Sequence, residues 1–131
     1  MSPVLLIVLV LVLLIVSYSS RACKDKISFH YEKSWFSRLN NPLFWNPAVS
    51  WKNKYKDGDS GKGERFFLST TALVFLTDGW HLFSFLELNS LQLALSILLY
   101  IVLGYGVILC FLGVKLVYGV CFNGLYDYLL K

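Results

Sequence analysis

Charge is scarce in this chain of 131 residues: Asp, Glu, Lys and Arg make up 15%, against 56% hydrophobic residues and a mean hydropathy of +0.60. That balance excludes a disordered tail and an ordinary soluble domain, in which roughly a quarter of residues are charged. A folded chain of this size still exposes roughly a third of its extended surface, so so much apolar material needs a solvent other than water. Cysteine is equally sparse. Cys23, Cys110 and Cys121 are an odd set with two members in apolar surroundings, which gives no reason to expect disulfides. With two histidines, no Cys-x-x-Cys and no His-x-x-x-His, the chain lacks a complete zinc-ligand set. Asp78 with His81, and His30 with Glu32, each offer only half of one, and neither a metal nor a cofactor is expected. Proline is confined to positions 3, 42 and 47, which leaves long stretches open to helix.

The few charges are unevenly placed. Between Tyr18 and Arg65 stand ten Lys or Arg against five Asp or Glu, a net charge of +5. Elsewhere Lys115 and Lys131 face Asp78, Glu87 and Asp127, a net charge of −1. A basic excess concentrated between apolar segments marks the inner side of a membrane rather than a nucleic-acid surface.

Three apolar segments follow from the pattern. Val4 to Val16 is a run of thirteen apolar residues, with Arg21, Lys24 and Lys26 after it and no charge in Met-Ser-Pro before it. This places the N-terminus outside and residue 18 onward in the cytoplasm. A leader cleaved or lipidated before Cys23 is the rival to a retained anchor. Residues 66–88 form a second apolar stretch interrupted by Thr77, Asp78, Gly79 and His81. Asn89 with Gln92 reads as a helix N-cap and its capping-box partner, so a tight turn is expected at Asn89-Ser90. Leu91 to Val114 holds 24 residues without a formal charge, ended by Lys115. Residues 116–131, with Tyr118, Phe122, Tyr126 and Tyr128, prolong that helix or turn along the interface at Asn123-Gly124.

The expected architecture is therefore an all-α membrane protein with about three transmembrane helices, near residues 3–18, 66–88 and 91–115. The divisions are an anchor over 1–20, a basic aromatic segment over 21–65 and a helical hairpin with its extension over 66–131. All clusters of positive charge then lie on one side, with the C-terminus in the cytoplasm.

The basic segment is also aromatic. Glu32 to Leu39 is expected to make two helical turns along the headgroups, and Asn40, Asn41, Pro42 and Pro47 prevent a long helix. Trp35, Arg38, Trp45, Trp51, Lys52 and Lys54 are the candidate contacts to anionic lipid, and tethering beside a membrane favours lipid over nucleic acid. The run from Asp57 to Gly63 fails as a phosphate loop, because Gly63 stands where Ser or Thr is needed. It fails as a calcium loop because Leu68 stands where the bidentate Glu belongs. A solvated turn is the better account.

Asp78 and His81, with Thr77, form the candidate polar centre. Ionisable residues at membrane depth cost roughly 2.5 kcal/mol or more, so they should face protein, water or a ligand. Two readings stand side by side: Asp78 orients the His81 ring in a relay or acid/base pair, or Asp78 caps a helix that starts at Gly79 while Trp80 and His81 anchor the interface. In the third segment Gly106, Cys110 and Gly113 offer a small-residue face for packing against another helix of this chain or a partner subunit.

Two blocks, Phe44-Trp45-Asn46-Pro47-Ala48-Val49-Ser50-Trp51-Lys52-Asn53-Lys54-Tyr55 and Phe75-Leu76-Thr77-Asp78-Gly79-Trp80-His81-Leu82-Phe83, cover about a sixth of the chain. With them the chain resembles small uncharacterised multi-pass membrane proteins of Bacteroidetes type that carry a Thr-Asp-Gly-Trp-His segment. The resemblance implies a multi-pass protein in which the two blocks form one unit, and it implies no activity; the expected location is a bacterial inner membrane. Helix-packing glycines and interfacial aromatics are abundant while complete catalytic constellations are missing. The expectation is a non-enzymatic structural or accessory subunit that packs with its own copies or a larger complex in the lipid bilayer, without nucleic acid. The alternative is a membrane-embedded enzyme or transporter for a lipid or ion that uses Asp78 and His81, with Lys52, Lys54 or Arg65 receiving an anionic group.

Overall fold

A computed structural model describes residues 2–124, and among them the chain is helical, with no strand and one isolated antiparallel bridge between Tyr55 and Glu64. The α-helices are α1 (Pro3–His30), α2 (Pro42–Trp45), α3 (Gly79–Leu103) and α4 (Val107–Gly124), and short 3-10 turns recur along the chain between α1 and α3. α1 and α3 are long and apolar enough to cross a membrane, and α4 is a shorter apolar helix. The chain divides into two compact units, Met1–Val16 with Asn89–Lys131, and Ser17–Leu88.

α1 does not stop near residue 18 as expected. No Gly or Pro occurs between Val4 and His30, and the Arg21–Asp25 pair spans one turn at 4.0 Å, so nothing in the polar continuation breaks the helix. Among its buried and half-buried positions, Leu6, Val10 and Leu13 in the first unit and Ser17, Ser20, Lys24 and Ile27 in the second are spaced by steps of four and three, with Leu14 and Cys23 beside them. That is the seam by which one helix lies along another. The small Ser17 and Ser20 let the partner backbone approach closely.

In the first unit Leu6 and Val10 form a core with Ala94 and Ile97, flanked by Leu13, Leu14, Leu93 and Val107. The outer faces are apolar: Val4, Val102 and Ile108 are 71%, 78% and 78% exposed. The turn expected at Asn89-Ser90 is absent, because α3 runs through it without a Gly or Pro from Trp80 to Leu103. Asn89 does not cap. Its side-chain oxygen accepts from Lys115 Nζ at 2.6 Å. The break falls instead at Gly104, whose φ of 73° favours glycine, and it divides the segment expected over 91–115. Lys115 thus lies inside α4 rather than at its end. Residues 116–124 prolong α4, which runs through Asn123 to Gly124, and the rest of the expectation for 116–131 lies outside the described residues.

In the second unit Ser17 Oγ donates to the Glu87 carbonyl at 2.9 Å, and Ile27 approaches Gly79, so α1 and α3 run antiparallel here. Residues 66–78 do not form the expected helix. The Glu64 carboxylate accepts from the Thr70 hydroxyl and from the Leu68 and Thr70 amides, and Leu68 takes a φ of 58°, which ends helical propagation. The two helical turns expected over 32–39 are separate 3-10 turns, Tyr31–Lys33 and Trp35–Arg38, divided at Ser34. Ser34 is extended and caps backward onto the Tyr31 carbonyl at 2.6 Å. Phe36 turns inward against Trp45 and Phe83, with ring centroids 5.4 and 5.8 Å away, while Trp35 stays outside.

Gly79 sits under this cluster, and a Cβ there would come within 2.7 Å of the Trp45 ring. Gly79→Ala should therefore destabilise the protein by about 1–3 kcal/mol. Gly119→Ala, whose Cβ meets open space in α4, should be neutral or stabilising by up to about 1 kcal/mol. Thermal unfolding in detergent, followed by circular dichroism, reads both.

Candidate functional site

α3 begins where it does because Asp78 caps it. The Asp78 side chain accepts from the His81 amide at 2.9 Å and its carbonyl accepts from the Leu82 amide at 3.0 Å, the arrangement of an N-cap with its third helical residue. The same carboxylate reaches the ring of that residue, with His81 Nδ1 2.8 Å from each oxygen. The Thr77 hydroxyl stands 3.1 Å from Asp78 Oδ2 and 2.7 Å from the Val74 carbonyl. Thr77 and Asp78 are buried. The capping and ring-orienting readings of Asp78 thus describe one geometry.

Burial pushes the Asp78 carboxyl toward its neutral form, but hydrogen bonds from the His81 ring and amide, the charge of that ring and the Thr77 hydroxyl outweigh it. The group lies below the ordinary Asp range. An ionised carboxylate only accepts, so the proton of the Asp78–His81 bond belongs to Nδ1. Nε2 is then left to face outward, where Lys54 Nζ lies 3.4 Å away.

Lys54 is brought there by a segment that doubles back on itself. Its carbonyl accepts from the Arg65 amide at 2.9 Å and from Ser69 Oγ at 2.7 Å, next to the Tyr55–Glu64 bridge. Arg65 also donates to the Asn53 side chain, which donates in turn to the Thr77 carbonyl. This chain of bonds ties the doubled segment to the residue before the cap. Glu64, at its far end, is held below the usual carboxylate range chiefly by the Thr70 hydroxyl, with burial opposing and the Thr70 and Leu68 amides assisting.

His81 and Lys54 border a shallow pocket of about 180 Å³, with Ser50, Trp51, Asp78 and Trp80 among its walls. Of the candidate lipid contacts, Trp51 and Lys54 line this pocket, and Lys52 Nζ lies 5.7 Å over the Trp51 ring. Trp45 is packed in the aromatic core, and Trp35 and Arg38 lie exposed on their own turn. In the other unit Cys110 is buried, whereas a Cβ at Gly106 or Gly113 would meet nothing within 4 Å. No group of three His, Cys, Asp or Glu that could hold a metal ion converges among the described residues.

No family model, curated protein or solved structure matches the chain. The site is therefore read from its own chemistry. An Asp–His pair that presents Nε2 beside an ammonium suits a proton acceptor or an anion receptor. Nε2 lies against Lys54 Nζ, and no hydroxyl is within hydrogen-bonding distance of it among the described residues, so the nucleophile of a hydrolytic triad is missing.

Sequence reasoning passed over Glu87. It sits in an apolar run as Asp78 does, and it is tied to Lys24 and, at 3.8 Å, to Arg21 of α1. An ionisable residue inside an apolar segment was the available signal. Lys54 was expected as a contact for an anionic group, but its place beside His81, 27 residues away, had no local signal.

The cap makes opposite demands on two substitutions. Asp78→Ala should lose about 0.5–2 kcal/mol of stability, while Asp78→Asn, itself a good cap, should lose less. Because the native carboxyl titrates below its unfolded value near 3.9, the stability it contributes is complete above that value and fades as pH falls through the native pKa. The gap in thermal midpoint between wild type and Asp78→Asn should shrink as pH falls below roughly 4.

Proposed function

We propose that this chain is a small integral membrane protein in which α1, α3 and α4 cross the bilayer and the polar part of Ser17–Leu88 lies at its cytoplasmic face. The N-terminus is outside, the C-terminus is inside, and the membrane is a bacterial inner membrane. Its role is that of a structural or accessory subunit, packed with its own copies or within a larger membrane complex.

The observation that carries this reading is the contrast between outward apolar faces and inward charges. Val4, Val102, Ile108 and Leu116 are exposed, an apolar surface of a kind that water-soluble monomers seldom present. The ionisable groups in and beside the apolar helices are paired within the protein: Glu87 with Lys24, Lys115 with Asn89, Asp78 with His81. Helix lengths agree. α1, α3 and α4 measure about 42, 37 and 27 Å at 1.5 Å per residue, against a hydrocarbon core of roughly 30 Å. The open small-residue positions Gly106 and Gly113 on and beside α4 leave room for another helix.

The pocket beside His81 favours a second reading, a membrane-embedded enzyme or transporter for a lipid or ion. The two separate cleanly. Extracted in mild detergent, the accessory subunit is expected to run as an oligomer or with a co-purifying membrane protein. A monodisperse monomer without company, together with a lipid-modifying or transport activity lost in His81→Ala but with folding intact, would establish the second reading instead.

A further inference from the structure

The half-buried Lys54 has no carboxylate within ion-pair distance among the described residues. The ion pairs of this unit lie elsewhere, at Arg21–Asp25, Arg21–Glu87, Lys24–Glu87, Lys62–Asp57 and His81–Asp78. Its Nζ lies 3.4 Å from His81 Nε2, and both border a pocket of about 180 Å³. Asp78 borders it too, but its oxygens are occupied by His81 and Thr77 and its side chain is only 3% exposed. Lys54 is thus the cation bordering the pocket that has no carboxylate partner among the described residues, while the Asp78 carboxylate is turned to His81 and Thr77. Lys52, over the Trp51 ring, adds a second cation, whereas Lys24, 6.0 Å over the Trp80 ring, is paired with Glu87.

The side walls are apolar and aromatic. Trp51 and Trp80 flank the space and are 46% and 40% exposed, as suits rings seated at a bilayer boundary. An unpaired ammonium at the back of two indole rings matches a phosphate-bearing group attached to an apolar body. A positively charged headgroup is disfavoured by Lys54.

We infer that this pocket, formed by Lys54, His81, Ser50, Trp51 and Trp80, receives the phosphate of an anionic phospholipid headgroup from the cytoplasmic leaflet. Lys54 supplies the charge-assisted hydrogen bond, Ser50 and His81 offer further polar contacts, and the indole rings rest against the glycerol and the first acyl carbons. Asp78 acts as a positioning residue, since it sets the direction of the His81 ring. The inference rests on the membrane reading above, whose failure is recognised separately by recovery of the protein in the soluble fraction after lysis.

The test uses the full chain in neutral detergent, titrated with dioctanoyl phosphatidylglycerol, dioctanoyl phosphatidylcholine and inorganic phosphate. Tryptophan fluorescence and the ¹⁵N resonances of the His81 ring are followed. Phosphatidylglycerol should bind saturably and shift both signals, with phosphatidylcholine at least tenfold weaker. Lys54→Gln should weaken phosphatidylglycerol at least tenfold, Lys54→Arg should retain it, and Lys56→Gln, outside the pocket, should leave it unchanged. Equal binding of the two lipids, or no saturable response, overturns the inference. Inorganic phosphate binding as tightly as phosphatidylglycerol assigns the pocket to a free anion and overturns the lipid source.

Discussion

A single carboxylate sets the start of α3 and, with it, the arrangement of the polar unit. Asp78 satisfies the His81 amide and holds Nδ1 of the same residue, so that one side chain both terminates the irregular stretch before it and aims an imidazole. Without that cap the apolar character of residues 66–88 would extend a helix backward through Thr77. Gly79 would then no longer meet Trp45, and Asn53 would lose the Thr77 carbonyl to which it donates. Local hydrogen bonding here overrides hydropathy, because a buried carboxylate left without donors costs more than the apolar contacts of one helical turn.

The pairing of Glu87 with Lys24 plays the corresponding part between helices. A carboxylate in the apolar course of α3 needs a cation, and α1 supplies one on the seam that also carries Ser17, Ser20 and Ile27. Buried ion pairs add little net stability over well-packed apolar residues, yet they penalise any register that separates the partners. The pair thus acts chiefly to specify how α1 and α3 align. Lys115 with Asn89 does the same for α4 against α3.

The helical class and the apolar segments were legible because they depend on composition and run length alone. Boundaries were less so. Asn89 with Gln92 has the residues of a capping box, but a cap forms only where a helix begins, and nothing between Trp80 and Leu103 forces a break. Gly104 with Gly106 was a stronger break signal than Asn89-Ser90, since glycine alone takes the positive φ observed there without strain. Asp78 with His81 stood out as a polar pair from spacing that serves a cap as well as a helix face, and the side chain of Asp78 meets both the amide and the ring of His81. Lys54 beside them is a product of tertiary folding, created by the doubling back between Asn53 and Arg65, and no local pattern announces it.

The central claim is that Asp78 fixes the tautomer of His81 so that Nε2 faces Lys54. The most direct measurement is ¹⁵N NMR of the imidazole in ring-labelled protein at alkaline pH, where a neutral histidine shows which nitrogen carries the proton. The account predicts a protonated Nδ1 and a bare Nε2 in the wild type, with that preference lost in Asp78→Ala. A wild-type ring protonated at Nε2, or a mixture of tautomers indifferent to Asp78, would contradict it.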